Sequence, residues 1–453
     1  MIAELSLMDL ASEFGGSCSA DIRFNRVSTD SRTIEPGDLF VALSGDHYHG
    51  NAFVVEAYQR GACAVVVSQP IDCAVAQWLV DDVSVAYGAI GAANRRLFKG
   101  RVIALTGSAG KTSCKEMVAA ILAESGSVLS TSANYNNEVG VPKTLLAIES
   151  KHRFAVIEMG ARQVGDIAYL TTLVAPDIAL LTNALAVHIE SFGDIDTVAS
   201  TKGELFAGLA PARLAIVNKD DAYYTQWLAL LSDAKVLSFS LSDNTADCYA
   251  ANIRVDSNGG TEFELQLPEH RFTVSLKLLG KHNVGNAVAA SAAALGAGAS
   301  AKQIKRALEN ITPVAGRLQS IVLPQMTIID DSYNASPDSV RAAIDVLAGF
   351  PGRRALVLGT MGELGEHAQA IHQQVAHYAA EQGIDQLLAV GPFSSALLAG
   401  FGDGASGFDS MESLLASIDS LTSCDYVLVK GSRTAGMERA VAGLIGAAEK
   451  VAG

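Results

Sequence analysis

Residues 101 to 113 read RVIALTGSAGKTS: an apolar run stops at Thr106, glycines punctuate a short loop, and Lys111, Thr112 and Ser113 follow at once. Such a string can hold a polyphosphate. A loop entering a helix exposes unpaired backbone N–H groups and the positive end of the helix dipole, and both suit phosphate oxygens. Gly107, Ser108, Ala109 and Gly110 would form that loop, Lys111 would bring a full charge near the terminal phosphates, and the Thr112 hydroxyl could complete the shell of a Mg ion. The usual phosphate loop carries a glycine five positions before Gly110, where this chain has Leu105, so the motif is the shorter T-G-x-x-G-K-T. Glycines alone could form a turn that binds nothing; Lys-Thr directly after them points to a nucleotide.

Other residues of chemical type lie at the ends of apolar runs. Phe154 to Ile157 ends in Glu158, where a metal-binding carboxylate belongs beside a phosphate-loop strand, or where a glutamate simply meets solvent. IALLTN ends at Asn183, and His188 follows in ALAVHIESFG, a lone histidine that is structural as readily as a ligand. In DTVASTKGELFAGL, Val198, Leu205 and Leu209 form a helical stripe that includes Lys202, so a lysine points along a buried face, either snorkelling, paired with an acid, or serving chemistry. Asn283 and Asn286, one turn apart at a helix start, could read an adenine edge or cap the helix. Near the N-terminus, Asp30-Ser31-Arg32 and the stretch Gly45 to Gly50 make two polar loops that could hold an anion.

The elements that must position these residues follow from periodicity. Before residue 84 the chain offers short strands with turn signals. From 84 to 314 strands and helices alternate as in a parallel sheet, interrupted at 247 to 278 by alternating strands around Asn258-Gly259-Gly260, an antiparallel insertion. After the Pro313 to Arg317 break, strands are expected at Thr327 to Asp330, Ala355 to Leu358, Gln386 to Val390 and Tyr426 to Val429, each followed by a helix. Their polar loops, DDSYNASPDS, GTMGELGE and KGSRTAG, should converge at one sheet edge. The fold class is therefore α/β in three domains, 1–83, 84–314 and 315–453, the last doubly wound and Rossmann-like.

A formal charge of -15 over 453 residues argues against a nucleic-acid partner, so an anionic substrate must be met by local Lys and Arg. Six scattered cysteines show neither metal spacing nor a C-x-x-C pair and read as reduced thiols. Neither a signal peptide nor a membrane span is evident, which suggests a cytoplasmic protein.

TGSAGKTS, NYNNEVGVP, VIEMGA, TKGELF, GKHNVGNAVAA, DDSYNASPDS and VKGSR occur in this order, and the ordered set resembles the Mur ligases of peptidoglycan synthesis over all three domains. TDSR in a short first domain, NNEVGVP and DDSYNASPDS are most similar to the branch that joins D-alanyl-D-alanine to UDP-N-acetylmuramoyl-tripeptide. The resemblance implies a UDP-sugar-binding first domain, a central P-loop ATPase-like domain, ATP, two Mg ions and a Lys202 carbamate formed with carbon dioxide. It further implies Lys111 on the terminal phosphates, with Ser113 in the same loop and Asn137 lining that site. Thr112 and Glu158 would hold one metal, while Glu158, His188 and carbamylated Lys202 would hold the other. Asn283 and Asn286 would face adenine, Arg317 the γ-phosphate and Asp331 the ribose. Ser31 and Arg32 would touch the UDP-sugar, and Tyr333, Asn334, Ser336 and Asp338 would lie where the dipeptide meets the transferred group. Two departures stand out: Thr360 occupies an acidic position in GTMGELG, and His49-Gly50-Asn51 replaces an acid-Gly-His-like string. A monomer is expected. Rival expectations are another Mur step, folylpolyglutamate synthase, or a regulatory P-loop ATPase.

Overall fold

A computed structural model describes every residue except 46, 188, 232, 257, 258 and 453, and for 189, 451 and 452 the backbone alone. Both His188 and Asn258 therefore lie outside the described residues.

The central sheet has nine strands. In spatial order they are His270–Leu276, Thr261–Leu267, Cys248–Val255, Lys235–Ser240, Leu214–Asn218, Ile178–Leu181, Arg101–Thr106, Phe154–Glu158 and Val128–Ser130. Pairing is parallel from Val128–Ser130 as far as Cys248–Val255, and the last two strands pair antiparallel. The antiparallel insertion expected from sequence thus extends the edge of the same sheet. Strand alternation explains why this sheet is covered on both faces. Ile103, Leu105, Val156, Ile178, Leu180 and Ile216 pack into one core, while Val102, Ala104, Ala155, Ile157, Ala179 and Val217 pack into the other.

Strand Arg101–Thr106 sits between Phe154–Glu158 and Ile178–Leu181, so the chain moves to one side of it and then to the other. Such a switch point opens a crevice at the carboxyl ends of the strands. Helix Lys111–Ala123 begins there.

The last sheet has six strands, in the order Gln319–Val322, Thr327–Asp331, Tyr426–Lys430, Arg354–Leu358, Gln386–Val390 and Ala405–Phe408. Two of them were not anticipated. Gln319–Val322 is an antiparallel edge strand, and Ala405–Phe408, sequence ASGF, is a second edge strand with too little β-branched or aromatic character to announce itself. The first domain is built on a five-stranded sheet ordered Ser17–Cys18, Ala76–Leu79, Ala64–Val67, Leu39–Val41, Val27–Ser28. Helix Val83–Leu97 then starts under an Asp82 cap, and its Val83, Ala86, Tyr87, Ile90 and Ala93 belong to the first domain's core. The chain thus enters the central domain through a packed helix, whereas residues 311–318 before the third domain are irregular. All six cysteines are free. No described helix is long and apolar enough to cross a membrane.

Candidate active site

The glycines of the phosphate loop are required by what surrounds them. A Cβ on Gly107 would lie 1.9 Å from Thr182 Oγ1, and one on Gly110 would lie 2.4 Å from Asn286 Oδ1. Gly110 also has a φ of +78°, the left-handed region that disfavours a side chain. Asn183 fastens the loop from the neighbouring strand end: its Oδ1 accepts from Ala109 N at 2.8 Å, and its carbonyl accepts from Ser108 N at 2.9 Å. Lys111 Nζ donates to the Gly107 carbonyl at 2.7 Å and the Ser108 carbonyl at 3.3 Å, folding back over the loop. Burial pushes its pKa down, opposed by the Glu158 charge and reinforced by Arg317.

Glu158 is not a solvent-facing strand end. It is buried, with Thr112 Oγ1 donating to Oε2 at 3.1 Å and Asn136 Nδ2 donating to Oε1 at 2.8 Å. Its own N–H donates to Thr131 Oγ1 at 2.9 Å. Asn136, unmarked in the sequence, therefore makes the contact to Glu158. Asn137 accepts from Gly140 N at 2.9 Å at the start of helix Gly140–Leu146.

Lys202 lies on helix Ile195–Ala207 with only 2% of its surface exposed. Its ammonium nitrogen stands 5.8 Å from the Phe192 ring centre. Its pKa falls to about 7, first through burial and then through the charge of Lys111, with Asp166 and Glu204 opposing. Neither acid pairs with it: Asp166 accepts from the N–H groups of Arg162 and Gln163, and Glu204 from those of Gly165 and Ala168. Among the described residues no three His, Cys, Asp or Glu side chains form a ready metal cluster.

Across the crevice stands the third domain. A cavity of about 330 Å³ is lined by Ser108, Ala109, Gly110 and Ser113 on one side and by Arg317, Asp331, Asn334, Ser336, Asp338 and Lys430 on the other, with Asn283 and Asn286 at its wall. The two asparagines are linked: Asn286 Nδ2 donates to Asn283 Oδ1 at 3.1 Å, and Asn283 Nδ2 to the Leu279 carbonyl at 2.8 Å. Ser336 caps helix Pro337–Ala348. Asn334, Ser336 and Asp338 thus line the same cavity as the phosphate loop. Tyr333 is outside that wall, its ring centre 4.3 Å from the Arg317 guanidinium and 5.8 Å from that of Arg433.

Lys430, which sequence reasoning missed, ties this side together. Buried at the end of its strand, it donates to Asp331 Oδ2 and, at 2.8 Å, to the Asn334 carbonyl. Asp331 Oδ1 also accepts from Leu318 N at 3.2 Å. The third loop joins through Gly359 N to the Lys430 carbonyl and Ser432 N to the Thr360 carbonyl, both 2.8 Å, so the three polar loops do converge.

In the first domain, Thr29 to Arg32 and Leu43, Tyr48, Gly50, Phe53 and Glu56 line a second cavity. Ser31 Oγ donates to Glu56 Oε2 at 2.9 Å. Arg32 is held by both oxygens of Asp30, at 2.8 and 2.7 Å, which lowers the Asp30 pKa to about 2.

Comparison with known proteins places the whole chain. Residues 23–106 match the Mur ligase family catalytic domain, 105–294 the Mur ligase middle domain, and 316–433 the Mur ligase glutamate ligase domain. A UDP-N-acetylmuramoyl-tripeptide–D-alanyl-D-alanine ligase of Escherichia coli (strain K12) is 43% identical over 432 residues, covering 94% of each chain. A crystal structure of MurF from Acinetobacter baumannii aligns with a TM-score of 0.92 at 34% identity, over 98% of this chain and 99% of the other. The MurF ligase of Thermotoga maritima in complex with ADP aligns at 0.83 with 26% identity, over 94% and 98%. With all three domains matched in order and a relative this similar over nearly its whole length, the chain belongs to the Mur ligase family.

Proposed function

We propose that this chain is an ATP-dependent ligase that joins D-alanyl-D-alanine to the terminal carboxylate of UDP-N-acetylmuramoyl-tripeptide, releasing ADP and phosphate. The observation that carries the assignment is a set of cations around one cavity in an acidic chain: Lys111 folds over the glycine loop, and Arg317 and Lys430 line the same cavity opposite it. Such charge neutralises phosphate groups as they move between oxygens.

In this mechanism the loop amides and Lys111 hold the β- and γ-phosphates, and Arg317 draws charge from the γ-phosphate as it passes to the substrate carboxylate. The resulting acyl phosphate is attacked by the dipeptide amine, the C–N bond forms, and phosphate leaves with one former carboxylate oxygen. Asn283 and Asn286 would face the base, and Asp331, fixed by Lys430, the ribose. Ser31 and Arg32 would meet the UDP-sugar, and Tyr333 with its two arginines would stand on the acceptor side.

Thr112 and Glu158 are oxygen donors suited to Mg, with Asn136 orienting the carboxylate. A second ion would need Glu158, His188 and Lys202. A lysine with a pKa about 7 is half amine near neutrality, so its lone pair can attack carbon dioxide, lose a proton and become an anionic oxygen ligand. When bound, the metals would supply charge neutralisation. We further propose 1–83, 84–314 and 315–453 as the working domains, acting as a cytoplasmic monomer.

Measuring ADP release against added acceptors tests this assignment. Release should require both UDP-tripeptide and D-Ala-D-Ala; dependence on a single free amino acid would assign the chain to another step, and turnover without any acceptor would make it a regulatory ATPase.

A further inference from the structure

One buried titratable side chain has no part in the mechanism above. His372, on helix Ala368–Glu381, has 0% of its surface exposed. Its Nδ1 lies 2.7 Å from the Ala368 carbonyl one turn back, and a carbonyl can only accept, so Nδ1 carries the proton. Nε2 is then a lone pair, and it accepts from Met361 N at 2.9 Å. The ring stacks on Phe393 at 4.5 Å, which fixes its plane.

Met361 begins the tight part of the loop that follows strand Arg354–Leu358. Within it Glu363 has a φ of +62°, a left-handed backbone that a side chain disfavours and that needs anchoring to persist. Among its anchors are the Ser432 N–H donating to the Thr360 carbonyl and the Met361 N–H donating to the His372 ring, with Met361 itself buried. The tip reaches the central domain: a Cβ on Gly365 would lie 4.0 Å from Glu190 Cγ. Glu190 belongs to the short helix Ile189–Phe192, whose last residue places its ring against Lys202. The loop therefore stands between His372 and the segment that borders Lys202.

We propose that His372 is a positioning residue: through its neutral Nε2 it holds the 359–366 loop against the central domain, and protonation of that nitrogen releases the loop. The chemistry is a change of role at one atom. A protonated Nε2 is a donor facing the Met361 N–H, another donor, and the pair repels. Its own helix, the loop and the turn carrying Phe393 meet the ring. No described charged side chain on them perturbs it; burial lowers its pKa, and the Ala368 carbonyl opposes that. The ring stays neutral at neutral pH and takes a proton only on the acid side.

The kinetic consequence rests on the ligase assignment, because a loop beside the acceptor loops should govern dipeptide binding. The structural consequence does not. The experiment follows hydrogen exchange in the full chain for wild type, His372→Gln and His372→Leu between pH 5 and 8, corrected for intrinsic exchange, together with KM for D-Ala-D-Ala and for ATP. Leucine leaves a buried N–H without an acceptor, so amides 360–366 should exchange about tenfold faster and KM for the dipeptide should rise about tenfold, with KM for ATP and protection of strand Gln386–Val390 unchanged. Glutamine places an amide oxygen near the Nε2 position and does not titrate, so its loop should stay protected at acid pH where the wild-type loop loosens. Unchanged loop exchange in His372→Leu, or loss of protection throughout the third sheet, would overturn the proposal. Loop release as expected, in proteins that show no dipeptide-dependent turnover, would uphold the anchor and remove the ligase assignment instead.

Discussion

Replacing Lys202 with methionine should make the protein more stable and inactive at once. The side chain is 2% exposed, and its pKa drops from 10.5 to about 7, mainly through burial. At about 1.36 kcal/mol per unit, a shift of that size corresponds to on the order of 4 to 5 kcal/mol of cost in holding the cation inside. Relaxation and water penetration reduce such figures, so the expected gain for Lys202→Met at pH 7 is about 2 kcal/mol, or roughly 4 to 8 °C in melting temperature. The sign follows from proton counting. Between pH 7 and 10.5 the unfolded lysine holds its proton and the folded one does not, so this group adds stability to the wild type as pH rises through that window. The advantage of Lys202→Met should therefore shrink from pH 7 toward pH 10. Thermal unfolding in carbon-dioxide-free buffer at several pH values measures this, and bicarbonate should stabilise wild type but not the variant. If Lys202→Met were destabilised by more than about 1 kcal/mol across the range, the lysine would be a paired structural cation, and the carbamate argument would fail.

Lys111→Ala should leave melting unchanged within a degree or two while lowering turnover at least about a hundredfold, because the charge acts on phosphate and not on packing; near-normal turnover would remove the phosphate-loop assignment. Lys430→Met should cost about 3 to 5 kcal/mol in chemical denaturation, since it strands a buried Asp331 carboxylate, and a loss below about 1 kcal/mol would mean that Asp331 takes up a proton or finds water. Closure of the third domain on the central one should pivot on the irregular residues 311–318 and not on the packed helix Val83–Leu97; identical small-angle scattering with and without an ATP analogue and UDP-tripeptide would argue against it.

What the sequence disclosed was local. The phosphate loop was legible because its strand, glycines, lysine and helix are contiguous, and each constrains the next. Continuous apolar runs made the central strands visible, although whether the strands at 248 to 276 formed a new sheet or extended the old one depended on partners that no pattern names. Asn136 and Asn137 are adjacent amides, and which one meets Glu158 is decided by how the 131 to 140 loop leaves the neighbouring strand. Lys430 ends a strand like any other lysine, yet it is buried because Asp331, nearly a hundred residues earlier, ends the strand beside it. Asn334, Ser336 and Asp338 line one cavity with the phosphate loop, a closeness across two domains that no local pattern announces.

The central claim is that a substrate carboxylate is activated as an acyl phosphate and captured by the dipeptide amine. UDP-tripeptide carrying oxygen-18 in its terminal carboxylate, incubated with ATP, Mg, D-Ala-D-Ala and the purified chain, tests it by mass analysis of both products. The account predicts UDP-pentapeptide together with phosphate bearing one heavy oxygen. Unlabelled phosphate, or ADP formed without pentapeptide, would contradict it.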